Sequence, residues 1–536
     1  MSPYSETVRR ARNIALVLSS ALLLTSLTAS VTSAQDRQDG TPVTVKTKNG
    51  WVRGESTVYG RQFLGIPYAK PPVGDLRLAP PRPASSWRGV KDTRRFGNSC
   101  PQNKNPFSSP DYDNQTRSEA CLDLNVYTPS ARGGKKLPVM VFIHGGANTG
   151  GQSPDVVPDE FARKANAVVV TINYRLGVLG FLTLPGTAGN FALLDQRQAF
   201  RWVRENAGAF GGDGERVTIA GQSAGGIAVC THLASPGSRG LFRAAIIQSG
   251  SIGDCGAGPR QQAETTSLSV AAAAGCANPS TVVSCMRGKP VQEILDAQDG
   301  PAAPRPYWQY SLGAELPEQP LTAFTAGHAA SVPVMNGGNS SESLVSAYLA
   351  FDAQGVTLTP EGFPQALTDA FGPQVGPQAL PRYPLSDFTR PVYAYAAALG
   401  DQFFACPVQR TNAALVQRGK VYSYEFADRT SPALKEPSPP VDFNFGASHS
   451  AELNYLYRPY GLSASLNLEQ KKLADQMIKY WGSFVHGKTP QVSGQPDMPQ
   501  YQNGHVLQLR TQSAGGNIVS TGLRAEHRCD LWDATS

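Results

Sequence analysis

The feature that most constrains the fold is the run at residues 216–231, RVTIAGQSAGGIAVCT. A β-branched apolar stretch from Val217 to Ile219 ends in small residues around a single serine, Ser223, and a helix-forming segment follows. The pattern Gly-x-Ser-x-Gly between a strand and a helix predicts a sharp turn that presents the serine hydroxyl at the edge of a sheet. Small residues on both sides of the serine let the strand and helix pass closely. Ser223 is therefore the candidate nucleophile.

Short apolar runs on either side of this motif predict the other strands of a buried sheet. Each ends in small or polar residues, and they lie at 137–143, 167–172, 244–248, 332–335, 421–426 and 506–509. Amphipathic segments at 191–206 and 468–485 predict helices between them. This alternation predicts an α/β chain with a mostly parallel, doubly wound sheet. Residues 44–54 and 60–68 alternate like antiparallel edge strands, and 256–320 and 357–384 are predicted to be helical excursions that cap the sheet.

The N-terminus carries the pattern of a secretory signal peptide. Arg9, Arg10 and Arg12 precede an apolar run at 14–27, and small residues lead to Ala34. The apolar run is shorter than a membrane-spanning helix requires, and no later stretch is long and apolar enough to cross a bilayer. We expect residues 1–34 to be removed, residues 35–536 to form a single domain, and the protein to be secreted or periplasmic without stable membrane insertion.

Charge and cysteine content exclude several classes of protein. The net charge is +7, and 45 basic against 40 acidic residues remain after residue 34, with no dense Lys/Arg run. This balance disfavours a nucleic-acid partner. Eight cysteines in an exported chain favour disulfides, and neither Cys-x-x-Cys nor His-x-x-x-His spacing indicates a metal. Spacing alone leaves the pairing open, and no cofactor is implied.

An activated serine needs a base, and His449 is the candidate. The usual order on such a fold is serine, acid, histidine, which disfavours His144, His232 and His328. The remaining alternatives end an amphipathic helix or lie in polar C-terminal segments: His486, His505 and His527. His449 stands in GASHSAEL, a loop of small residues before a helix, where an imidazole can project freely.

Two carboxylates compete for the role of the acid that orients the base. Glu342, in GGNSSE at 337–342, follows the predicted strand 332–335, so it is expected at the same sheet edge as Ser223. Glu452 lies three residues after His449 and better suits the local helix. We predict Glu342, with Glu452 as the alternative.

The loop after the predicted strand 137–143 offers donors for a developing oxyanion. It reads His-Gly-Gly-Ala at 144–147 and ends the strand expected beside the serine strand. The backbone N–H groups of Gly146, Ala147 and Ala224 could converge on a carbonyl oxygen.

Taken together, these residues resemble the type B carboxylesterase/lipase family, which includes the cholinesterases, within the α/β-hydrolase fold. The resemblance covers essentially the whole chain after the signal peptide. Besides the serine motif, it rests on FLGIPYA at 63–69, CLDLNVYTP at 121–129, NYRLG at 173–177, NFALLDQ at 190–196, FGGD at 210–213 and SPGSRGLF at 235–242.

The resemblance implies specific roles for individual residues. It implies a triad of Ser223, His449 and Glu342, an oxyanion hole of Gly146, Ala147 and Ala224, and Ser249 as a hydroxyl near the triad. It also implies the disulfides Cys100–Cys121, Cys276–Cys285 and Cys406–Cys529, and it leaves Cys230 and Cys255 unpaired.

This chain departs from the family pattern at several positions around the expected site. Gln222 stands where the family usually has glutamate, Ala147 replaces the third glycine of the oxyanion loop, and Asn148 replaces the aromatic residue after it. Serines flank Glu342, and Ser450 stands where glycine usually follows the histidine. None of these changes removes a required catalytic group.

The departures also bear on the substrate. Cholinesterases hold an ammonium group over a tryptophan between the first cysteine pair, but residues 101–120 contain only Phe107 and Tyr112 as aromatics. With a neutral Gln222, this disfavours a choline ester, and the short polar loop disfavours an interfacial lipase. We expect hydrolysis of soluble or moderately sized esters, with two alternatives: an amide, carbamate or thioester hydrolase, and a non-catalytic binding protein. Asn114 begins a glycosylation acceptor pattern.

Overall fold

The computed structural model describes residues 40–104, 116–130, 134–300, 309–432, 443–459, 461, 463–502 and 504–535. The predicted signal peptide at 1–34 lies outside these residues, as do Phe107, Tyr112 and Asn114. Within them, no helix is both long and apolar enough to span a bilayer.

Fifteen strands and sixteen α-helices alternate along the described chain. The strands are β1 Thr41–Lys46, β2 Trp51–Thr57, β3 Gly60–Pro67, β4 Val90–Asp92, β5 Asp123–Thr128, β6 Leu137–Ile143, β7 Val156–Val157, β8 Val168–Ile172, β9 Gly212–Gln222, β10 Ala244–Gln248, β11 Val334–Asn339, β12 Val421–Phe426, β13 Arg458–Pro459, β14 Val506–Leu509 and β15 Ile518–Ser520. The helices are α1 Asp159–Ala165, α2 Gly177–Phe181, α3 Phe191–Asn206, α4 Ala224–Ala234, α5 Arg260–Ala273, α6 Val282–Gly288, α7 Val291–Asp299, α8 Pro320–Ala326, α9 Leu344–Ala350, α10 Phe363–Ala379, α11 Pro391–Gly400, α12 Cys406–Leu415, α13 Leu453–Leu456, α14 Leu468–Val485, α15 Leu523–Glu526 and α16 Cys529–Ala534.

One large sheet organises these elements. Its strand order is β1-β2-β3-β5-β8-β6-β9-β10-β11-β12-β14-β15, and β4 pairs with β2. Every pairing from β8 to β14 is parallel, while the pairings beyond them are antiparallel except that of β4 with β2. This is the mostly parallel, doubly wound sheet expected of an α/β-hydrolase. The parallel order brings the carboxyl ends of β6, β9, β10 and β11 to one edge.

Both faces of the sheet are buried, and the alternation along β6 shows how. Val139, Val141 and Ile143 point into one apolar cluster with α3 and α4, whereas Met140 and Phe142 point into a second cluster with α1 and α14. Each such side chain contributes about 1.5–3 kcal/mol by leaving water. Two-sided burial explains why the central strands are continuous apolar runs in the sequence.

Strand β11 differs from its prediction. The apolar run 332–335 predicted a strand ending before Asn336, but the strand extends through Asn-Gly-Gly-Asn to Asn339. These residues have low strand propensity, yet β12 supplies hydrogen-bonding partners along the whole of β11, and β10 does so as far as Gly337. Gly337 is required there, because a Cβ would lie 2.2 Å from the carbonyl oxygen of Tyr424.

Four disulfides close loops around the sheet: Cys100–Cys121, Cys230–Cys255, Cys276–Cys285 and Cys406–Cys529. The expectation that Cys230 and Cys255 stay unpaired is therefore wrong. Cys230 lies on α4, the helix after Ser223. Cys255 ends the turn that follows β10, and this turn packs against α4. Their Cα atoms are 5.9 Å apart and both residues are fully buried, a separation that a disulfide bridges readily.

Candidate active site

The site is built around a strained turn at Ser223, between β9 and α4. Ser223 has φ 58° and ψ −125°, a conformation that costs a non-glycine residue about 1–3 kcal/mol. Hydrogen bonds hold it there: its N–H donates to Gln248 at 2.9 Å, and its carbonyl accepts from Ile227 at 2.9 Å. A Cβ at Gly221 would lie 2.2 Å from the carbonyl oxygen of Gly225, so the small residues of the motif are sterically required.

His449 and Glu342 meet at the sheet edge next to this turn. The distance from His449 Nδ1 to Glu342 Oε2 is 2.6 Å, and the His449 backbone N–H donates to the Glu342 carbonyl at 3.1 Å. The second carboxylate oxygen of Glu342 accepts from the Asn339 N–H at 2.7 Å. A carboxylate fixed at both oxygens holds the imidazole proton on Nδ1, which leaves Nε2 unprotonated and able to accept a proton.

Electrostatics favour a basic His449. Burial by itself lowers the pKa of this imidazole, but the charge and the hydrogen bond of Glu342 outweigh it, so the pKa rises above its ordinary value. The ring of Phe404 lies 5.2 Å away and shields one side of the imidazole. The paired acid and histidine thus form a proton acceptor next to Ser223.

Glu452, the alternative acid, occupies a different position. It is fully buried and accepts hydrogen bonds from Asn339 Nδ2 at 2.7 Å and from Gln248 Nε2 at 3.2 Å. Burial and the nearby charge of Glu342 raise the pKa of Glu452 to about 7. Asn339 therefore links the two carboxylates, and Glu342 is the one that contacts the histidine. Asn339 was not predicted from the sequence as a site residue, although it lies within the segment that carries Glu342.

Gln222 is hydrogen-bonded to the free side of the histidine. Its amide Nε2 lies 3.3 Å from His449 Nε2. Among the described residues, the Ser223 hydroxyl makes no hydrogen bond to His449. Catalytic hydrogen bonds are often loose without substrate and tighten in the complex. Gln222 therefore contacts the ring nitrogen that faces away from Glu342.

The predicted oxyanion donors lie on the loop after β6 and at the start of α4, on either side of Ser223. Gly146 and Ala147 have φ values of 108° and 54°, and Ala224 begins α4, where helical N–H groups have no intrahelical partner. The loop abuts the serine, since a Cβ on Gly145 would lie 3.0 Å from Ser223 Cβ. These N–H groups and the α4 dipole can stabilise negative charge beside Ser223.

Ser249 lies close to Glu342. Its N–H donates to Gly337 at 2.8 Å, and its buried hydroxyl has no partner among the described residues. A Cβ on Gly338 would lie 2.8 Å from Glu342 Oε1 and 3.8 Å from Ser249 Oγ, which places both groups around one glycine. Within the described chain, no group of three or more His, Cys, Asp or Glu side chains is arranged to hold a metal ion.

His527 lies in a segment predicted to be polar, but only 12% of its side chain is exposed. Its two ring nitrogens contact the carboxylates of Asp401 and Glu425. The predicted disulfide of its neighbour Cys529 with Cys406 was the one signal that this segment returns to the core.

Comparison with known proteins matches nearly all of the described chain to one family. The profile described as the carboxylesterase family matches residues 41–532. Human cocaine esterase is 33% identical over 508 residues, covering 88% of this chain and 86% of that protein. Mouse acylcarnitine hydrolase is 33% identical over 542 residues, covering 94% and 92%. Juvenile hormone esterase of Tribolium castaneum is 33% identical over 516 residues, covering 86% and 85%.

Solved structures agree with this match. A PNB esterase superposes with a TM-score of 0.75 at 30% sequence identity, covering 91% of this chain and 99% of that chain. A thermophilic PNB esterase superposes with a TM-score of 0.76 at 29% identity and the same coverage.

Proposed function

This chain belongs to the carboxylesterase family of carboxylic-ester hydrolases, and we propose that it acts through Ser223, His449 and Glu342 by way of an acyl-enzyme. The observation that carries the proposal is the 2.6 Å contact between His449 Nδ1 and Glu342 beside the strained serine turn. This contact orients a base next to the Ser223 hydroxyl at the sheet edge, which is the arrangement that nucleophilic acyl transfer needs.

The proposed reaction has two steps. His449 Nε2 takes the proton of Ser223 as Oγ attacks the ester carbonyl, and the N–H groups of Gly146, Ala147 and Ala224 bind the oxyanion. The imidazolium then protonates the departing alcohol, leaving an acyl-serine. Water activated by His449 releases the acid and restores the serine. Glu342 holds the imidazole tautomer and stabilises its positive charge in both steps.

This chain's own residues indicate the substrate class, whereas the relatives are named for three different esters: cocaine, acylcarnitine and juvenile hormone. Gln222 places a neutral amide 3.3 Å from His449 Nε2, where a glutamate would add negative charge. Residues 101–120 contain no tryptophan to receive an ammonium group. We therefore propose uncharged, soluble esters of moderate size as substrates.

We also propose that the enzyme is exported, to the medium or the periplasm. The signal pattern at 1–34 supports export, and the pairing of all eight cysteines within disulfides suits an oxidising compartment. We propose neither a nucleic-acid partner nor a cofactor for this enzyme.

The test is hydrolysis of p-nitrophenyl esters of increasing acyl length, with and without an organophosphate, followed by mass spectrometry of the Ser223 peptide. We expect activity to stop as Ser223 gains the phosphoryl group, and Ser223→Ala to lose turnover on the order of 10⁶-fold. Near-normal activity of that variant would overturn the serine mechanism. Matched amide, carbamate and thioester substrates measure the alternative specificity, which faster turnover of any of these would favour.

A further inference from the structure

His144 lies between β6 and the loop that carries the oxyanion donors, and it is 3% exposed. Its ring stacks on the ring of Tyr174, with centroids 4.4 Å apart and planes inclined by 19°. The Tyr174 hydroxyl also donates to the backbone carbonyl of His144 at 2.8 Å. One tyrosine therefore holds both the side chain and the main chain of this histidine.

The His144 ring has one partner among the described residues. Nδ1 lies 2.8 Å from the carbonyl oxygen of Gly145, and Nε2 is buried without a partner. Burial lowers the pKa of His144 to about 4, against a smaller opposing effect of the Gly145 hydrogen bond. The ring is thus neutral at working pH. The neutral ring carries its proton on Nδ1, where the Gly145 carbonyl accepts it, because an N–H at the buried Nε2 would have no acceptor.

This hydrogen bond acts on the peptide unit that carries a catalytic donor. In a planar trans peptide the C=O and N–H point in opposite directions. When His144 holds the Gly145 carbonyl on one side, the N–H of Gly146 faces the other. The next peptide is held similarly, since the Gly146 carbonyl accepts from Thr149 at 3.0 Å and from Gly150 at 2.9 Å.

The donors that these bonds orient are themselves unused. Neither Gly146 nor Ala147 donates a backbone hydrogen bond to any part of the chain that the structure describes. Both have positive φ, and a Cβ on Gly146 would lie 2.2 Å from the Gly150 carbonyl oxygen. A strained loop with free donors needs an outside restraint to keep its peptide planes from turning.

We propose that His144, held by Tyr174, is a positioning residue that orients the Gly145–Gly146 peptide and so aims the Gly146 N–H at the oxyanion. The inference rests on the proposed function, because it assigns a task within the same reaction. It goes beyond the resemblance, which assigns roles to Gly146 and Ala147 but none to His144 or Tyr174.

Two variants separate the hydrogen bond from the stacking. His144→Phe keeps a ring on Tyr174 but has no donor, whereas His144→Asn loses the ring and keeps an N–H near the position of Nδ1. We expect His144→Phe to lower kcat about 10²-fold with little change in KM, the scale of a lost oxyanion donor. We expect His144→Asn to recover most of that loss. Tyr174→Phe, which removes only the hydroxyl, should show a smaller loss of the same kind.

The readouts are kcat per titrated active site, KM, and the inhibition constant of a trifluoromethyl ketone, whose serine adduct carries an oxyanion. If His144 orients the donor, the inhibition constant rises in proportion to the loss of kcat/KM. If His144 only packs, thermal stability falls, while the inhibition constant and kcat/KM per titrated active site stay unchanged. Wild-type kcat in His144→Phe, or equal losses in His144→Phe and His144→Asn, would overturn the inference. Ser223→Ala is measured in parallel: if it is inactive while His144→Phe is normal, the inference alone fails, whereas an active Ser223→Ala variant refutes the mechanism.

Discussion

The side-chain amide of Gln222 lies 3.3 Å from Nε2 of His449, on the side of the imidazole opposite Glu342. The base is therefore flanked by a carboxylate on one nitrogen and by a neutral amide on the other. This asymmetry makes the charge of residue 222 a control on the basicity of the histidine and on the ligands that the site accepts.

Replacing Gln222 by glutamate should shift the pH profile. A carboxylate this close favours the imidazolium and raises the pKa of His449, typically by 1–3 units for an opposite charge at such range. Since only neutral His449 accepts the serine proton, activity is lost as pH falls through this pKa. The acidic limb of kcat/KM should therefore move to higher pH in Gln222→Glu. Gln222→Met is the neutral control, and an unmoved limb in Gln222→Glu would contradict the assigned contact.

The two buried carboxylates should respond differently to neutralisation. Glu342→Gln removes the charge that contacts His449 and should lower kcat roughly 10³–10⁴-fold, as for other triad acids. Glu452→Gln removes a group that contacts Asn339 and Gln248 instead, so its kcat should fall far less. Because the charge of Glu452 also raises the pKa of His449, the acidic limb should move to lower pH in this variant. Steady-state kinetics across pH measure both effects, and a larger loss of kcat in Glu452→Gln would reverse the assignment.

Folding stability should depend on His527 at alkaline pH. Burial alone lowers the pKa of this imidazole, but Asp401 and Glu425 outweigh it and hold the pKa well above its ordinary value. The unfolded chain releases this proton near pH 6.5, so the stabilisation is complete below that pH and is lost as pH rises through the folded pKa. Urea unfolding of His527→Gln from pH 6 to 9 should show a flatter decline than the parent. His505→Gln is the control, because among the described residues this ring is hydrogen-bonded to the Gln502 carbonyl and to no carboxylate. It should match the parent, and equal slopes in all three proteins would contradict the prediction.

The Cys230–Cys255 bridge can be checked directly. With all eight cysteines paired, the denatured, unreduced protein should contain no free thiol, whereas two would appear if these cysteines were unpaired. Peptide mapping should recover Cys230 linked to Cys255. Closing a loop of this sequence separation of 25 contributes about 3.5 kcal/mol on the chain-entropy estimate. The double variant Cys230→Ser/Cys255→Ser should lose stability on that scale, with Cys276→Ser/Cys285→Ser as the matched short-loop control.

Much of the fold and part of the site followed from local sequence signals. The predicted bounds of β6, β10, β12, β14, α3 and α14 agree with the structure, because their apolar periodicity is set by burial on one or both sides. The turn at Ser223 was evident because steric crowding admits only small residues around it. Periodicity and the small residues of a tight turn depend only on residues close together in the chain, so they can be recognised from the sequence.

The remaining features depend on distant contacts. The last residues of β11 form a strand only because neighbouring strands pair with them. Glu342 rather than Glu452 meets His449 because the loop after β11 folds against residue 449, and Cys230 meets Cys255 because the turn after β10 packs against α4. By itself the sequence determined the turn that carries Ser223, the sheet and the set of candidate partners. Only the tertiary structure decided which partner each group meets, since those choices depend on packing between segments far apart in the chain.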